Sequence, residues 1–258
     1  MNHLPELEAA LATARRAAQA ASDMAMRYFR SELEVERKAD ASPVTEADRR
    51  CERIIQDHIL ADFPDHAIYG EEYGRRGDSH CLWLVDPIDG TRSFIRGLPF
   101  WSVQIALMVD GELVVGVSAA PAFGETAWAA RGQGAWIDGQ AVRASQVASL
   151  EEADVSFGNL RSLAGSPGWA WVGDIVKRAA RSRGYGDFYS YHRLADGSQD
   201  LVIESDVNIL DIAALSVIVT EAGARISDLD GAPIGLETGS ILAAPPALHQ
   251  ALLSSRHD

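Results

Sequence analysis

Cysteine is scarce: Cys51 and Cys81 are the only two in 258 residues. A disulfide framework is therefore excluded, and neither position suggests a catalytic thiol. Neither Cys-x-x-Cys nor His-Glu-x-x-His occurs, so the familiar zinc ligand sets are missing. No apolar run approaches the roughly 18 residues of a membrane span, and Asn2, Glu6 and Glu8 stand where a targeting peptide would be basic. A soluble, cytoplasmic protein is the expectation. Positive charge is also in deficit, with 23 Lys and Arg against 37 Asp and Glu for a net charge of -14. That balance disfavours nucleic acid or an anionic membrane as partner.

What is present is enough for a full core. The chain is 47% hydrophobic and 23% charged, and no repeat, low-complexity tract or Pro/Ser-rich linker divides it. It reads as a single unit over 1–258 made of two intimately packed halves, about 1–145 and about 146–258. Apolar positions Leu7, Ala10, Leu11, Ala14, Ala18, Ala21, Ala25 and Tyr28 predict a long helix from Pro5 to about Phe29. Leu33 and Val35 suggest a strand, and Thr45 begins a second helix carrying Ile54, Ile55 and Ile59. Alternation from Val103 to Val109, an Asp110-Gly111 turn and a return over Leu113 to Val117 predict an antiparallel hairpin. Further strands are expected at Thr126–Ala130, Asp154–Phe157, Leu201–Ile203 and Ala224–Asp228, with a turn at Asp138-Gly139. Helices are expected at Trp169–Ala180 and Asp211–Ala222. Strands and helices intermix without strict alternation, so the fold class is mixed α and β.

The segment from Trp83 to Thr91 carries the most chemistry. Cys81 to Val85 reads as a short buried strand that Pro87 should end, leaving Asp86 and Asp89 where a loop can aim both at one point. Gly90 permits close backbone approach to a ligand, and the following amides with the Thr91 hydroxyl can donate to an oxyanion. Ordinary Asp-Pro and Asp-Gly turns are the alternative for any one dipeptide. Other acids weigh against it. Glu71 sits at a second strand end in Gly70-Glu71-Glu72, and Asp211 opens a helical run. Oxygen clusters of this kind suit hard cations such as magnesium. A phosphate dianion entering such a cluster would meet like charges, each pair costing on the order of 4 kcal/mol at about 4 Å and an effective dielectric near 20. Divalent cations reverse that sign. Thr45 and Asp48 read as a helix capping box on their own terms.

In order along the chain, several pieces resemble the inositol monophosphatase superfamily. They are Lys38, Thr45-Glu46-Ala47-Asp48, Gly70-Glu71-Glu72, Trp83 to Thr91, Pro99-Phe100, Gly116 through Pro121 and Glu125 to Gly139, Glu204, Asp211 and Glu221-Ala222-Gly223. Leu210 stands where the family usually has Trp, and Ala224 where a second Gly is usual. The resemblance implies a layered αβαβα sandwich of the inositol monophosphatase and fructose-1,6-bisphosphatase type, and a lithium-sensitive, magnesium-dependent phosphatase. It implies two or three Mg2+ ions, replaceable by Mn2+, held by Glu71, Asp86, the Ile88 carbonyl, Asp89 and Asp211. Glu71 and Thr91, backed by Asp48, would orient an attacking water, with Asp89 also catalytic. Gly90 and Thr91 would bind phosphate oxygens.

Substrate choice rests on Arg183-Gly184-Tyr185-Gly186-Asp187-Phe188-Tyr189. Gly-Tyr-Gly-Asp, with Arg96-Gly97-Leu98-Pro99, resembles the histidinol-phosphate phosphatase branch, whereas inositol-directed relatives carry small residues after the glycine. Asp187 and Glu204 are candidates to pair with an ammonium or imidazole, and Arg183 and Asp211 are further substrate-binding candidates. A solvent-facing loop acid is the alternative for Asp187. The expected partner is a small phosphate ester. Competing expectations are an inositol or sugar monophosphatase, and a regulatory protein with secondary phosphatase activity. The resemblance also implies a homodimer, for which Phe100, Trp101, Trp169 and Trp171 are interface candidates if not buried.

Overall fold

A computed structural model describes residues 4–31, 35–37, 43–184 and 186–257; Leu33, Lys38 and Tyr185 lie outside them. Helix α1 (Leu4–Tyr28) buries Ala10, Ala14, Ala18, Ala21 and Ala25 along one stripe, as their spacing of three and four requires. The antiparallel pair β1 (Val35–Arg37) and β2 (Pro43–Thr45) leads into α2 (Glu46–Asp62), which packs on α1 through Cys51, Ile55 and Ile59. Then come β3 (Ala67–Gly70), β4 (Gly74–Arg76), β5 (Cys81–Asp89), α3 (Thr91–Ile95) and β6 (Ser102–Val109). They are followed by β7 (Glu112–Ala120), β8 (Glu125–Ala130), β9 (Ala135–Ile137) and β10 (Gln140–Val142). Strands β3 to β10 form an eight-stranded sheet ordered β10-β9-β8-β7-β6-β5-β3-β4. Only β3 and β5 run parallel in it.

The later half supplies β11 (Asp154–Phe157), α4 (Leu160–Gly165), α5 (Trp169–Arg178), β12 (Arg181–Arg183), α6 (Asp187–Ala195) and β13 (Leu201–Ser205). It ends with α7 (Ile209–Glu221), β14 (Arg225–Ser227), β15 (Ser240–Ala244) and α8 (Pro246–His257). Its five strands form a second sheet ordered β12-β11-β13-β15-β14.

Strand periodicity sorts the core into layers. Trp83, Val85, Val103, Ile105 and Leu107 face α1 and α2, whereas Leu82, Leu84, Ala106 and Met108 face α6 and α7. In the second sheet Val202, Ile241 and Ala243 face the same α6/α7 layer, while Leu201, Ile203, Leu242 and Ala244 face α4, α5 and α8. The order is therefore helix, sheet, helix, sheet, helix, as expected. No helix among the described residues is long and apolar enough to cross a membrane.

The predicted hairpin forms, and its turn has positive φ at Asp110 (51°) and Gly111 (83°), which matches the twist of its strands. Two expectations need correction. Strand β5 does not stop before Pro87 but runs to Asp89, because a bulge between Asp86 and Asp89 accommodates the residue without an N–H. Trp101 is fully buried against Phe94 and Phe29, so it is core and no interface candidate. Trp169 stays 41% exposed.

Helix α7 lies so close to β7 that a Cβ on Gly116 would sit 2.3 Å from the Ala214 carbonyl oxygen. Gly116→Ala must push the layers apart and is expected to cost about 1–3 kcal/mol. A lowered denaturation midpoint in urea at unchanged slope checks this; no loss of stability would mean the layers are looser than described.

Candidate active site

The bulge in β5 decides where the central carboxylates go. Asp86 pairs with Gln104 and Asp89 with Ser102, so three residues on β5 span two on β6. In a regular strand acids three positions apart would point to opposite faces; with the bulge both share the face of Leu82 and Leu84, toward α7. Ile88 N–H donates to Asp86 Oδ1 at 3.0 Å, and Ser102 Oγ approaches Asp89 Oδ2 at 3.5 Å. Helix α7 starts two residues before Asp211, with Asn208 as N-cap, so Asp211 occupies the third position of a capping box. Its oxygens accept from Asn208 N (2.9 Å) and Nδ2 (2.8 Å), which fixes the carboxylate at the positive end of the helix. Oxygens of Asp86, Asp89 and Asp211 all come within 4.8 Å of one another. Glu71 follows the end of β3, its N–H bonded to Val85 O at 3.2 Å, and its carboxyl group hydrogen-bonds Asp86.

These groups perturb one another strongly. Burial, then Glu71, Asp89 and Asp211, hold Asp86 well above the usual carboxylate range. Burial, then Asp187, Asp211, Glu204 and Glu71, do the same to Asp89. Burial raises Asp211 to about 6, with Glu71 and Asp187 adding to it against the Asn208 hydrogen bonds. No basic side chain is among the principal causes of any of these shifts. An all-oxygen, anionic, dry cluster without an internal cation has the donor chemistry of a hard divalent ion, so the residues fit one.

The flanking groups are braced. Asp48 is fully buried and accepts from Thr45 N (2.8 Å) and Thr45 Oγ1 (2.5 Å), the predicted capping box. Its other oxygen lies 3.4 Å from Thr91 Oγ1, which also donates to Ile88 O at 3.0 Å. The two readings of Asp48, cap and Thr91 partner, thus coexist geometrically. Gly90 has φ 88°, and a Cβ there would come 2.7 Å from Phe100 O, so only glycine fits ahead of the Thr91 turn.

Next to the cluster, Asp89, Asn159, Asp187, Tyr191, Glu204 and Asp211 line a cavity of about 40 Å³. Glu204 is buried, raised to about 8 by burial and by Asp187 and Asp211, and accepts from Tyr191 Oη at 2.9 Å. Asp187, raised to about 6 by burial, is half-buried at the start of α6 and is not a solvent-facing loop acid. Gly158 leaves the room Glu204 occupies, since a Cβ there would lie 1.9 Å from Glu204 Oε1. Arg183 is not brought in. It is exposed on edge strand β12 and its Nη1 donates to Ser182 O at 2.7 Å.

Residues 6–258 match the inositol monophosphatase family. The chain belongs to this family. It is 37% identical to a histidinol-phosphatase of Streptomyces coelicolor, over 92% of each chain. It is 39% identical to one of Mycobacterium tuberculosis, over 89% of this chain and 90% of the other. Its fold superposes on an inositol monophosphatase of Zymomonas mobilis with a TM-score of 0.86, 30% identity and full coverage of both chains. As a family member the chain is a phosphoric monoester hydrolase. The two departures from the family pattern are benign. Leu210 is buried in the core beside α6, and Ala224 follows Gly223, which alone carries the positive φ (95°) after α7.

Sequence reasoning missed Tyr191, Asn159 and Glu52. The first was findable, because Phe188, Tyr191, Leu194 and Ala195 recur at helical spacing after Gly186-Asp187. Glu52 is fully buried in α2 and accepts from Glu72 N (2.6 Å) and Tyr73 N (3.2 Å), bracing the turn that carries Glu71; nothing local distinguishes it from a solvent-facing helix acid.

The pKa shifts predict how stability follows pH. Unfolded carboxylates titrate near 4, whereas Asp211 and Asp187 titrate at about 6 and Glu204 at about 8 in the folded chain. The native state therefore binds more protons, and this contribution to stability, complete below about pH 4, is lost as pH rises toward about 8. With chelator present, the thermal midpoint should fall between about pH 5 and 8, and a divalent ion should restore more of it at the upper end. A flat profile, or equal restoration at both ends, contradicts the burial assigned to these acids.

Proposed function

We propose that the chain hydrolyses histidinol phosphate to histidinol and phosphate, by direct attack of water on phosphorus without a phosphoenzyme. The observation that carries this reading is the acidic wall that continues the carboxylate cluster into the later half. Asp187 and Glu204 face a cavity with no basic side chain in its lining, which suits a substrate whose far end is an ammonium and an imidazole. Burial holds both acids above the usual carboxylate range, so a cation arriving between them would favour their charged forms. Similarity to two histidinol-phosphatases supports the same assignment.

Glu71, Asp86, Asp89, Asp211 and the Ile88 carbonyl would hold magnesium, as two or three ions, with manganese as substitute. When bound, such ions neutralise the carboxylates, attract the phosphate dianion and make water more acidic. The chain's own groups do the remaining work. Thr91 Oγ1, backed by Asp48 Oδ1, orients the attacking water, and Glu71 receives its proton. The amides around Gly90 and Thr91 hold the phosphate oxygens. The residues up to about 145 contribute the metal and phosphate end, completed by Asp211 from the later half, which otherwise contributes the substrate end. Lithium sensitivity, a cytoplasmic location and a homodimer belong to the same reading.

Asp89→Asn should lower kcat at least about 100-fold while leaving the thermal midpoint without metal unchanged or raised, because a buried charge is removed. Near-normal turnover at saturating magnesium would take Asp89 out of the metal's reach. Comparing kcat/KM for histidinol phosphate, inositol 1-phosphate and adenosine 3′,5′-bisphosphate on one preparation tests the substrate. Asp187→Ala should cost about 10- to 100-fold for the first alone. Preference for inositol 1-phosphate would favour the polyol reading instead.

A further inference from the structure

Helix α6 is cross-linked to both sheets, and one link makes no contact with the metal cluster. His192 is fully buried, with Nδ1 at 2.7 Å from Glu125 Oε1 and Nε2 at 2.8 Å from Ser118 Oγ. Ser118 lies on β7 and Glu125 opens β8, so the imidazole ties α6 to the first sheet. Glu125 Oε2 also receives Arg193 Nη2 at 2.5 Å, and Arg193 Nη1 lies 2.8 Å from Asp196 Oδ2. Serine, histidine and glutamate in this order resemble a nucleophile relay, but Ser118 and His192 both have 0% exposure and no ester can reach them. Burial depresses the imidazole's basicity, so the neutral ring donates from Nδ1 to Glu125 and accepts the Ser118 proton at Nε2.

The other links run to the second sheet: Tyr191 Oη to Glu204 on β13 at 2.9 Å, and Ser190 Oγ to Ser156 on β11 at 2.8 Å. At the head of the helix Asp187 has φ 52°, a left-handed conformation costly for a residue with a side chain. Such strain persists only where the surroundings over-determine it. Phe188, whose ring centroid is 5.0 Å from that of His192, is fully buried and begins the anchored stretch.

We propose that His192 is a positioning residue for substrate choice: by pinning α6 to Ser118 and Glu125 it sets the distance of Asp187 and the Tyr191–Glu204 pair from the phosphate end. The inference rests on the reading of Asp187 and Glu204 as partners of the substrate's cationic end. It makes specificity depend on the registry between the two sheets, since the phosphate end is built on one and the cationic end on the other.

The test compares histidinol phosphate with p-nitrophenyl phosphate, which lacks an ammonium and an imidazole. His192→Leu should raise KM for histidinol phosphate about tenfold, with kcat and both constants for p-nitrophenyl phosphate within about twofold. Ser118→Ala, a smaller change that keeps the fold if His192→Leu does not, should raise the same KM about threefold. His192→Asn, which retains the donor toward Glu125, should recover part of the loss. In an Asp187→Ala background the His192→Leu effect should shrink, because part of it acts through that carboxylate. Equal losses on both substrates, or additive effects in the double variant, would overturn the proposal while leaving the substrate reading intact. A wild-type enzyme with no preference for histidinol phosphate would overturn both.

Discussion

Like charges crowded into a dry place are the constraint around which the rest of this structure is arranged. Asp86, Asp89, Asp187, Glu204 and Asp211 come from four different elements or their edges; burial raises every one of them, and repulsion from neighbouring acids adds to it at Asp86, Asp89, Glu204 and Asp211. At neutral pH such raised carboxylates oppose folding, since the unfolded chain releases their protons more readily. Helix caps such as Thr45 and Asn208 contribute only about 1 kcal/mol each. The layered cores around α7 must carry the remainder, and a bound cation relieves it. The same crowding of negative charge would favour a divalent cation, since each carboxylate repelled by its neighbours is attracted to such an ion.

Rigid geometry at this cluster is achieved by backbone devices more than by side-chain packing. A one-residue bulge turns Asp86 and Asp89 to the same face, a capping box holds Asp211, a parallel β3/β5 pair sets Glu71 beside Asp86, and Glu52 braces the following turn. Each device satisfies backbone N–H groups with carboxylate oxygens or ladder bonds, so the acids are aimed without needing a cationic partner. Gly90 lets the chain pass close to the Phe100 carbonyl, and Gly158 leaves the room that Glu204 occupies.

The middle helical layer joins the two sheets. Helix α7 delivers Asp211 from the later half to the strand end of the earlier one, and α6 places Asp187 and Tyr191 against the same cavity. A site shared in this way makes the two ends of a bound substrate depend on how the sheets sit against one another. On the proposed reading, substrate range follows from α6, which carries Asp187 and the His192 anchor, more than from the carboxylates that would hold the cation.

Much of this was legible in the chain. The helix at α1, the hairpin of β6 and β7, the acids at strand ends and the capping box at Thr45 follow from spacing, turn chemistry and local hydrogen bonding, which involve neighbours within a few residues. Strands β12 and β15 were not identified, because they are set by pairing with segments far away in sequence, and α6 was passed over although Phe188, Tyr191, Leu194 and Ala195 carry its spacing. Pro87 was read as a stop because an isolated strand cannot use a residue without an N–H, whereas a bulge against β6 can. Local sequence thus determined which side chains are oxygen donors, where the long elements lie and that the site needs a cation. Only the tertiary structure decided that Asp86 and Asp89 share a face, that Arg183 stays at an edge and that His192 and Glu52 are buried braces. Those outcomes depend on register and layer packing between segments tens of residues apart, and no local pattern encodes them.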